Sequence, residues 1–214
     1  GKKKVLVIGG GLIGCEFAND LSNGGFEVAL VEPMGRCLPT LLPEEASTAV
    51  GAGLQDLGVT FHFGPVVSAV HMKGDGVVAT LSDGTEVEAD IVLSAVGLRP
   101  RIQLAQEAGL QCNRGIVVDR HLRTSNEDIY SLGDCAEVEG YVLPYLLPLM
   151  ASARALAKTL TGDPTEVAYG VMPVTIKTPA CPVVVCPPPH GSEGAWECEV
   201  DGRNVRALFK SGTG

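Results

Sequence analysis

Residues 4–15 read KVLVIGGGLIGC, an apolar run that breaks into glycines and then resumes with helical spacing. The pattern predicts a β-strand, a tight turn and an α-helix that extends to about residue 23. Glycines at the first, third and sixth positions after the strand form G-x-G-x-x-G, in which the first makes the turn, the second lets backbone approach a pyrophosphate and the third lets the helix lie close to the strand. Unpaired N–H groups at the helix start favour an anion. The sequence therefore predicts a dinucleotide-phosphate site made by Gly9, Gly11, Leu12, Ile13 and Gly14.

A second buried strand, residues 27–31, follows the helix and ends on Glu32. This acidic residue lies roughly 20 residues beyond the glycines, as the dinucleotide motif requires. A carboxylate there can accept hydrogen bonds from both hydroxyls of an adenosine ribose, and it would repel a 2′-phosphate. We therefore predict NADH rather than NADPH, although Arg36 is close enough in sequence to weaken that preference. The alternative is a glycine-rich turn without a ligand, followed by a glutamate that only terminates a strand.

Composition limits the class of protein. The chain has 214 residues, of which 45% are hydrophobic and 19% charged, and its net charge is −9. It suits one large or two small domains, and its acidity argues against nucleic acid or an anionic membrane as a partner. No apolar stretch approaches the roughly 18 residues of a membrane span, and no signal-peptide pattern is present. Seven scattered cysteines fit reduced thiols, so we predict a cytoplasmic location.

The next part of the chain predicts the remainder of a Rossmann-type α/β domain. A helix over 44–57 precedes a strand over 59–63, and strands over 66–72, 77–81 and 86–89 form a small antiparallel meander. Residues 91–96 are a continuous apolar run, typical of a buried parallel strand. That strand ends at Gly97, where the backbone could pass close to the nicotinamide half of the ligand.

Beyond residue 98 the pattern changes. A short helix over 104–109 and a strand over 116–119 precede the run 129–132, which leads into Gly133 and Asp134, and a helix follows over 147–160. A carboxylate directly after a glycine at a strand end can accept hydrogen bonds from a ligand hydroxyl. An aspartate that merely caps a turn is the alternative at this position.

Two of these segments together resemble a known family. VIGGGLIGCEFA, residues 7–18, and TSNEDIYSLGDCA, residues 124–136, are similar to the pyridine-nucleotide-dependent FAD oxidoreductases, in which an NAD(P)H domain is inserted within an FAD domain. The resemblance implies an NADH-binding domain over 1–98, the returning C-terminal part of an FAD-binding domain over 99–166, and the start of a truncated α+β domain over 167–214. It implies FAD and NADH as cofactors. We expect the N-terminal FAD-binding half and the end of the C-terminal domain to be missing from this chain.

The resemblance also implies roles for particular residues. Glu16 would face the junction of nicotinamide and flavin, and Asp134 would bind the ribityl or pyrophosphate end of FAD. Leu146 and Leu147 would direct backbone N–H groups toward the pyrimidine edge of the flavin. Lys177 would approach the flavin or the partner, the alternative being a charge at the exposed end of a strand. No catalytic acid or base is assigned, because hydride transfer requires none, and no metal ligand is assigned.

The expected acceptor follows from residues 172–182, MPVTIKTPACP, which resemble the rubredoxin-reducing members of this family. The implied function is an NADH-dependent reductase that passes electrons through FAD to rubredoxin or a similar one-electron carrier. A flavorubredoxin, a ferredoxin or a disulfide is the alternative acceptor within the same fold. Cys181 and Cys186 suit a redox disulfide poorly, because residues five apart in an extended run point to opposite faces. A dinucleotide-sensing or interaction module without turnover is the non-enzymatic alternative.

Overall fold

The computed structural model describes residues 3–189 and 191–212, and the chain divides into two units. The first unit consists of residues 1–97 and 173–214, and the second consists of residues 98–172. The chain therefore leaves the first unit after residue 97 and returns to it at residue 173. The division into three domains at residues 98 and 166 stays a prediction.

The first unit is built on a parallel sheet. Its elements before residue 98 are the strands β1 (Lys4–Ile8), β2 (Glu27–Glu32), β3 (Thr60–Phe63), β4 (Val67–Lys73), β5 (Gly76–Leu81), β6 (Glu86–Ala89) and β7 (Ile91–Ser94), and the helices α1 (Leu12–Asn23) and α2 (Glu44–Asp56). Four strands form a parallel sheet in the order β3-β2-β1-β7, and β4-β5-β6 form an antiparallel sheet. The predicted Rossmann-type fold with an antiparallel meander is confirmed, and β7 ends two residues earlier than expected.

Successive side chains of β1 point alternately to the two faces of the parallel sheet, and both faces are covered. Val5 and Val7 point into a core shared with α1 and α2, whereas Leu6 points into a core shared with the meander. Successive side chains of a strand face opposite sides, so a strand buried on both faces is apolar throughout. The meander therefore covers one face of the parallel sheet, and the two helices cover the other.

The second unit is smaller and less regular. It contains α3 (Gln103–Glu107), β8 (Ile116–Val118), a 3₁₀-helix (Gly133–Cys135), β9 (Ala136–Val138) and α4 (Leu146–Leu160), and β8 and β9 pair in parallel. The sequence placed Asp134 at the end of a strand, which is wrong. Tyr130 makes only an isolated bridge with Arg123, and Gly133, with φ of +81°, turns the chain into the 3₁₀-helix that carries Asp134.

A buried carboxylate anchors the second unit. Burial alone would raise the pKa of Glu137, but hydrogen bonds from Gly115 N at 2.9 Å and Asn113 Nδ2 at 3.2 Å, together with Arg114, lower the pKa below its usual value. A carboxyl whose pKa is lower in the folded than in the unfolded state contributes stability above its unfolded pKa of about 4.3, and that stability is lost as the pH falls through the folded value.

Glu137→Gln is therefore expected to lower the free energy of unfolding at pH 7 by about 2 kcal/mol, and the difference from wild type should narrow at pH 3. Urea unfolding of variant and wild type at both pH values measures this difference in the free energy of unfolding. The matched control is Glu139→Gln, because the Glu139 side chain is 57% exposed and pairs with Arg120 at the surface, where ion pairs contribute little. Equal stability of Glu137→Gln and wild type at pH 7 would contradict this role.

After the second unit the chain adds two hairpin-like pairs to the first unit. These are β10 (Val174–Ile176) with β11 (Val183–Val185), and β12 (Gly194–Asp201) with β13 (Asn204–Ser211), each antiparallel. Ile176 and Val185 are buried in the same core as Val5 and Val7. The last part of the chain thus completes a core that the first strands begin.

Within the described ranges, no helix has both the length and the apolar character needed to cross a membrane.

Candidate dinucleotide-binding site

The glycine turn and Glu32 come to the same edge of the parallel sheet because β1 and β2 run in matched register. Ile8 pairs with Val31, and Gly9 N donates a hydrogen bond to Val31 O at 2.8 Å. The turn after β1 and the last residue of β2 are therefore neighbours. Open α/β sheets bind ligands at this carboxyl edge of their strands.

The three motif glycines occupy positions with different constraints. Gly9 has φ of +102°, and a Cβ there would lie 2.5 Å from Ala95 O on the neighbouring strand connection. A Cβ on Gly14 would overlap the carbonyl oxygen of Gly9. At Gly11, the residue that precedes α1, no atom lies within 4 Å of the position of a Cβ. The backbone of the protein thus fills the space next to Gly9 and Gly14, whereas the space next to Gly11 is empty.

Glu32 is 6% exposed, and the turn holds its carboxylate in place. Gly10 N donates to Oε2 at 2.7 Å, and Met34 N donates to Oε1 at 2.8 Å. An ionised carboxylate has about four lone-pair sites, so each oxygen retains one for a ribose hydroxyl. The predicted neighbour Arg36 directs its guanidinium to Pro39 O at 3.4 Å, within its own loop.

Gly10 is a member of this site that the motif did not assign. Its N–H links the turn to Glu32, and a Cβ on Gly10 would lie 2.9 Å from Glu32 Cβ. The available signal was the run of three glycines, of which the motif uses only the outer two.

These residues fit a dinucleotide. Leu12 and Ile13 are the first two residues of α1, so their N–H groups lie in the helical turn that leaves four donors without intrahelical partners. Gly11, Leu12 and Ile13 together present donors and the positive end of the helix dipole beside the open space. Gly97 has φ of +91° and has nothing within 4 Å of the position of a Cβ. Binding of NADH by these residues stays a prediction.

Two further predicted residues, Glu16 and Lys177, lie together in the first unit. Lys177 N donates to Glu16 Oε1 at 2.8 Å, so the contact uses the backbone of the lysine, and its side chain is exposed. One turn along α1, Asn19 Oδ1 accepts from Ala180 N at 3.2 Å. Asn19 is fully buried, and sequence reasoning missed it. The residues after β10 are thus attached along α1, the helix that begins at the glycine turn.

In the second unit, the structure brings the predicted FAD-binding residues Asp134, Leu146 and Leu147 close together. A Cβ on Gly133 would lie 3.0 Å from Leu149 Cδ1, which places the 3₁₀-helix beside the first turn of α4. Asp134 is exposed, and α4 begins at Leu146, as predicted to within one residue. A carboxylate can accept hydrogen bonds from ligand hydroxyls, and the N-terminus of a helix can stabilise an electron-rich ring edge. These residues therefore fit part of a flavin site, and their role stays a prediction.

Comparison with known proteins agrees with this architecture. The family described as pyridine nucleotide-disulphide oxidoreductase matches residues 1–159, and the family described as rubredoxin binding C-terminal domain matches residues 166–214. The rubredoxin-NAD(+) reductase of Alcanivorax borkumensis is 73% identical over 100% of this chain and 56% of the relative. The rubredoxin-NAD(+) reductase of Acinetobacter baylyi is 46% identical over 99% of this chain and 55% of the relative.

A solved structure extends the comparison to three dimensions. A ferredoxin reductase from Rhodopseudomonas palustris matches with a TM-score of 0.89 and 29% identity, over 99% of this chain and 54% of that chain. The chain spans about half the length of these relatives. Because the family match extends over most of the chain and includes the glycine turn, Glu32 and the parallel sheet, the chain belongs to the pyridine nucleotide-disulphide oxidoreductase family.

Proposed function

We propose that this chain supplies the NADH site and part of the FAD site of an NADH-dependent flavoprotein reductase whose electron acceptor is rubredoxin. The observation that carries the proposal is the arrangement of Glu32 and the glycine turn, in which a buried carboxylate is fixed 2.7 Å from Gly10 N beside an open helix start. The carboxylate suits a ribose diol and the helix start suits a pyrophosphate.

The choice of NADH over NADPH follows from the position of that carboxylate. A 2′-phosphate would have to enter beside Glu32, whose two oxygens are already oriented by Gly10 and Met34. Arg36, a cation close in sequence that could pair with such a phosphate, directs its guanidinium to Pro39 O. Like charges held close together in a partly buried site repel strongly.

The FAD contribution of this chain is assigned to Asp134, Leu146 and Leu147 in the second unit. Asp134 would accept hydrogen bonds from flavin side-chain hydroxyls, and the N–H groups at the start of α4 would orient toward the flavin ring edge. FAD would supply the conversion between a two-electron donor and a one-electron acceptor. The protein contributes orientation and charge, and no side chain is required to accept or donate a proton in hydride transfer.

The acceptor is proposed from the C-terminal part of the chain. Residues 166–214 match a rubredoxin binding domain, and the relatives from Alcanivorax borkumensis and Acinetobacter baylyi carry the name rubredoxin-NAD(+) reductase. Lys177 lies in this part with its side chain exposed, where it can contact a partner. A cytoplasmic location is proposed with it, since all seven cysteines are free and reduced thiols are typical of that compartment.

The 214-residue chain is expected to bind NADH at least about tenfold more tightly than NADPH, because the repulsion of a 2′-phosphate adds to the loss of charge-assisted hydrogen bonds. Isothermal titration calorimetry with the two nucleotides measures this. A preference for NADPH would contradict the assignment of Glu32.

Titration of the labelled chain with purified rubredoxin should show saturable binding, and an unrelated acidic protein of similar size is the control. Absence of rubredoxin binding would overturn the proposal that rubredoxin is the electron acceptor.

A further inference from the structure

The peptide group between Gly10 and Gly11 is held from the protein side. Gly10 O accepts a hydrogen bond from Leu38 N at 2.7 Å and a second from Cys15 Sγ at 3.2 Å. Gly10 N in turn donates to Glu32 Oε2 at 2.7 Å. Both polar groups of Gly10 are therefore occupied by the protein itself.

The direction of the Gly10 carbonyl fixes the direction of the next N–H group. Within the described residues all peptide bonds are trans, and in a trans peptide the C=O and the following N–H point in opposite directions. The carbonyl of Gly10 points toward Cys15 and Leu38, which are both fully buried. The N–H of Gly11 therefore points away from Cys15 and Leu38. No atom lies within 4 Å of the position of a Cβ on Gly11.

Leu38 is held in a backbone conformation that non-glycine residues rarely adopt. Its φ is +52°, and its carbonyl accepts hydrogen bonds from Leu41 N at 3.0 Å and Leu42 N at 3.1 Å. Such a conformation persists only where the surrounding structure determines it, and it is typical of functional sites. Here it directs the Leu38 N–H at Gly10 O.

The second donor, Cys15, remains a thiol. The adjacent Cys37 thiol, burial and the nearby Glu32 carboxylate raise the pKa of Cys15 far above its usual value, against a smaller lowering effect of the Leu38 N–H. A thiol that stays protonated can donate to Gly10 O throughout the physiological pH range. Cys37 is equally buried and packs in the same core, but Gly10 O takes its thiol donor from Cys15.

We propose that Cys15 is a positioning residue for the dinucleotide pyrophosphate: its thiol, together with the Leu38 N–H, locks the Gly10–Gly11 peptide so that Gly11 N–H faces the ligand. This inference rests on the proposed function, because it requires the turn to bind a dinucleotide. It assigns a role in ligand orientation to a buried residue that would otherwise only fill the core.

Three variants of the 214-residue chain test it: Cys15→Ala removes the donor, Cys15→Ser restores a donor, and Cys37→Ala makes a similar cavity in the same core. We expect Cys15→Ala to lower the affinities for NADH and for ADP-ribose by roughly three- to tenfold. Both ligands contain the pyrophosphate. Cys15→Ser and Cys37→Ala should stay within about twofold of wild type. Calorimetry gives the affinities, and the ¹H–¹⁵N NMR signal of Gly11 should shift more in Cys15→Ala than in Cys37→Ala.

The outcomes separate this inference from the function on which it rests. If wild type binds NADH and Cys15→Ala binds equally well, with an unmoved Gly11 signal, Cys15 is a packing residue and the inference is overturned. Equal losses in Cys15→Ala and Cys37→Ala would also overturn it, because the cavity would then explain both. If wild type binds neither NADH nor ADP-ribose, the dinucleotide function fails and the role of Cys15 fails with it.

Discussion

Gly14→Ala is expected to abolish measurable NADH binding and to lower the free energy of unfolding by about 3 kcal/mol. The added methyl group would overlap the carbonyl oxygen of Gly9, which is backbone and cannot move aside without opening the turn. Inserting atoms into a closely packed contact typically costs about 1–3 kcal/mol. To relieve the overlap, α1 must move away from β1, and the phosphate-facing N–H groups move with it. Urea unfolding and calorimetry with NADH measure the two effects.

Gly11→Ala is the matched control for that substitution. Gly11 has φ of −72°, which any residue adopts, and no atom lies within 4 Å of the new methyl group. The free energy of unfolding should therefore change by less than about 0.5 kcal/mol. The methyl group would, however, enter the space assigned to the pyrophosphate and lower the affinity for NADH. If Gly14→Ala folds and binds NADH like wild type, the close approach of α1 to β1 does not matter for the site. If Gly11→Ala binds like wild type, the pyrophosphate lies elsewhere.

Glu32→Ala is expected to reduce NADH affinity by at least about a hundredfold and to bring the affinities for NADH and NADPH close together. Two ribose hydrogen bonds to a charged acceptor would be lost, each on the order of 1.5–3 kcal/mol, and the repulsion of a 2′-phosphate would disappear. Gly10 N and Met34 N would also lose the acceptors that orient the turn. Calorimetric titration of both nucleotides into both proteins gives the affinities.

Glu32→Gln separates charge from shape. The amide retains one acceptor oxygen and the size of the side chain, so it can still contact Gly10 or Met34, but it carries no charge. We expect NADH affinity between those of wild type and Glu32→Ala, with weaker discrimination against NADPH than in wild type. Unchanged discrimination in both variants would show that selectivity comes from another part of the chain.

The parts that could be predicted from the sequence are those determined locally. The turn after β1 needs glycines for reasons visible in the run itself, and Glu32 follows a continuous apolar strand. Helix bounds were also predicted closely, since Pro43 and the glycines after each helix mark them. Such features can be predicted because the conformational preferences of proline and glycine act on neighbouring residues and need no contact distant in sequence.

The parts that could not be predicted depend on contacts distant in sequence or on unusual backbone conformations. Lys177 N and Glu16 Oε1 meet across 161 positions, and Asn19 and Ala180 are also 161 positions apart. The positive φ of Leu38 has no sequence signal, because leucine is not a residue that favours it. The run 129–132 predicts a strand before Asp134, but Ser131 N donates to Leu122 O at 3.0 Å in a segment that forms no named strand.

The return of residues 173–214 to the first unit has a consequence for biosynthesis. The core that contains Val5 and Val7 also contains Ile176 and Val185, so it cannot close until those late residues have left the ribosome. At roughly 5–20 residues per second, translating the intervening stretch of about 90 residues takes about 5–20 s. During that interval the helix-covered face of the sheet remains incompletely buried and exposed to chaperones, proteases and other nascent chains.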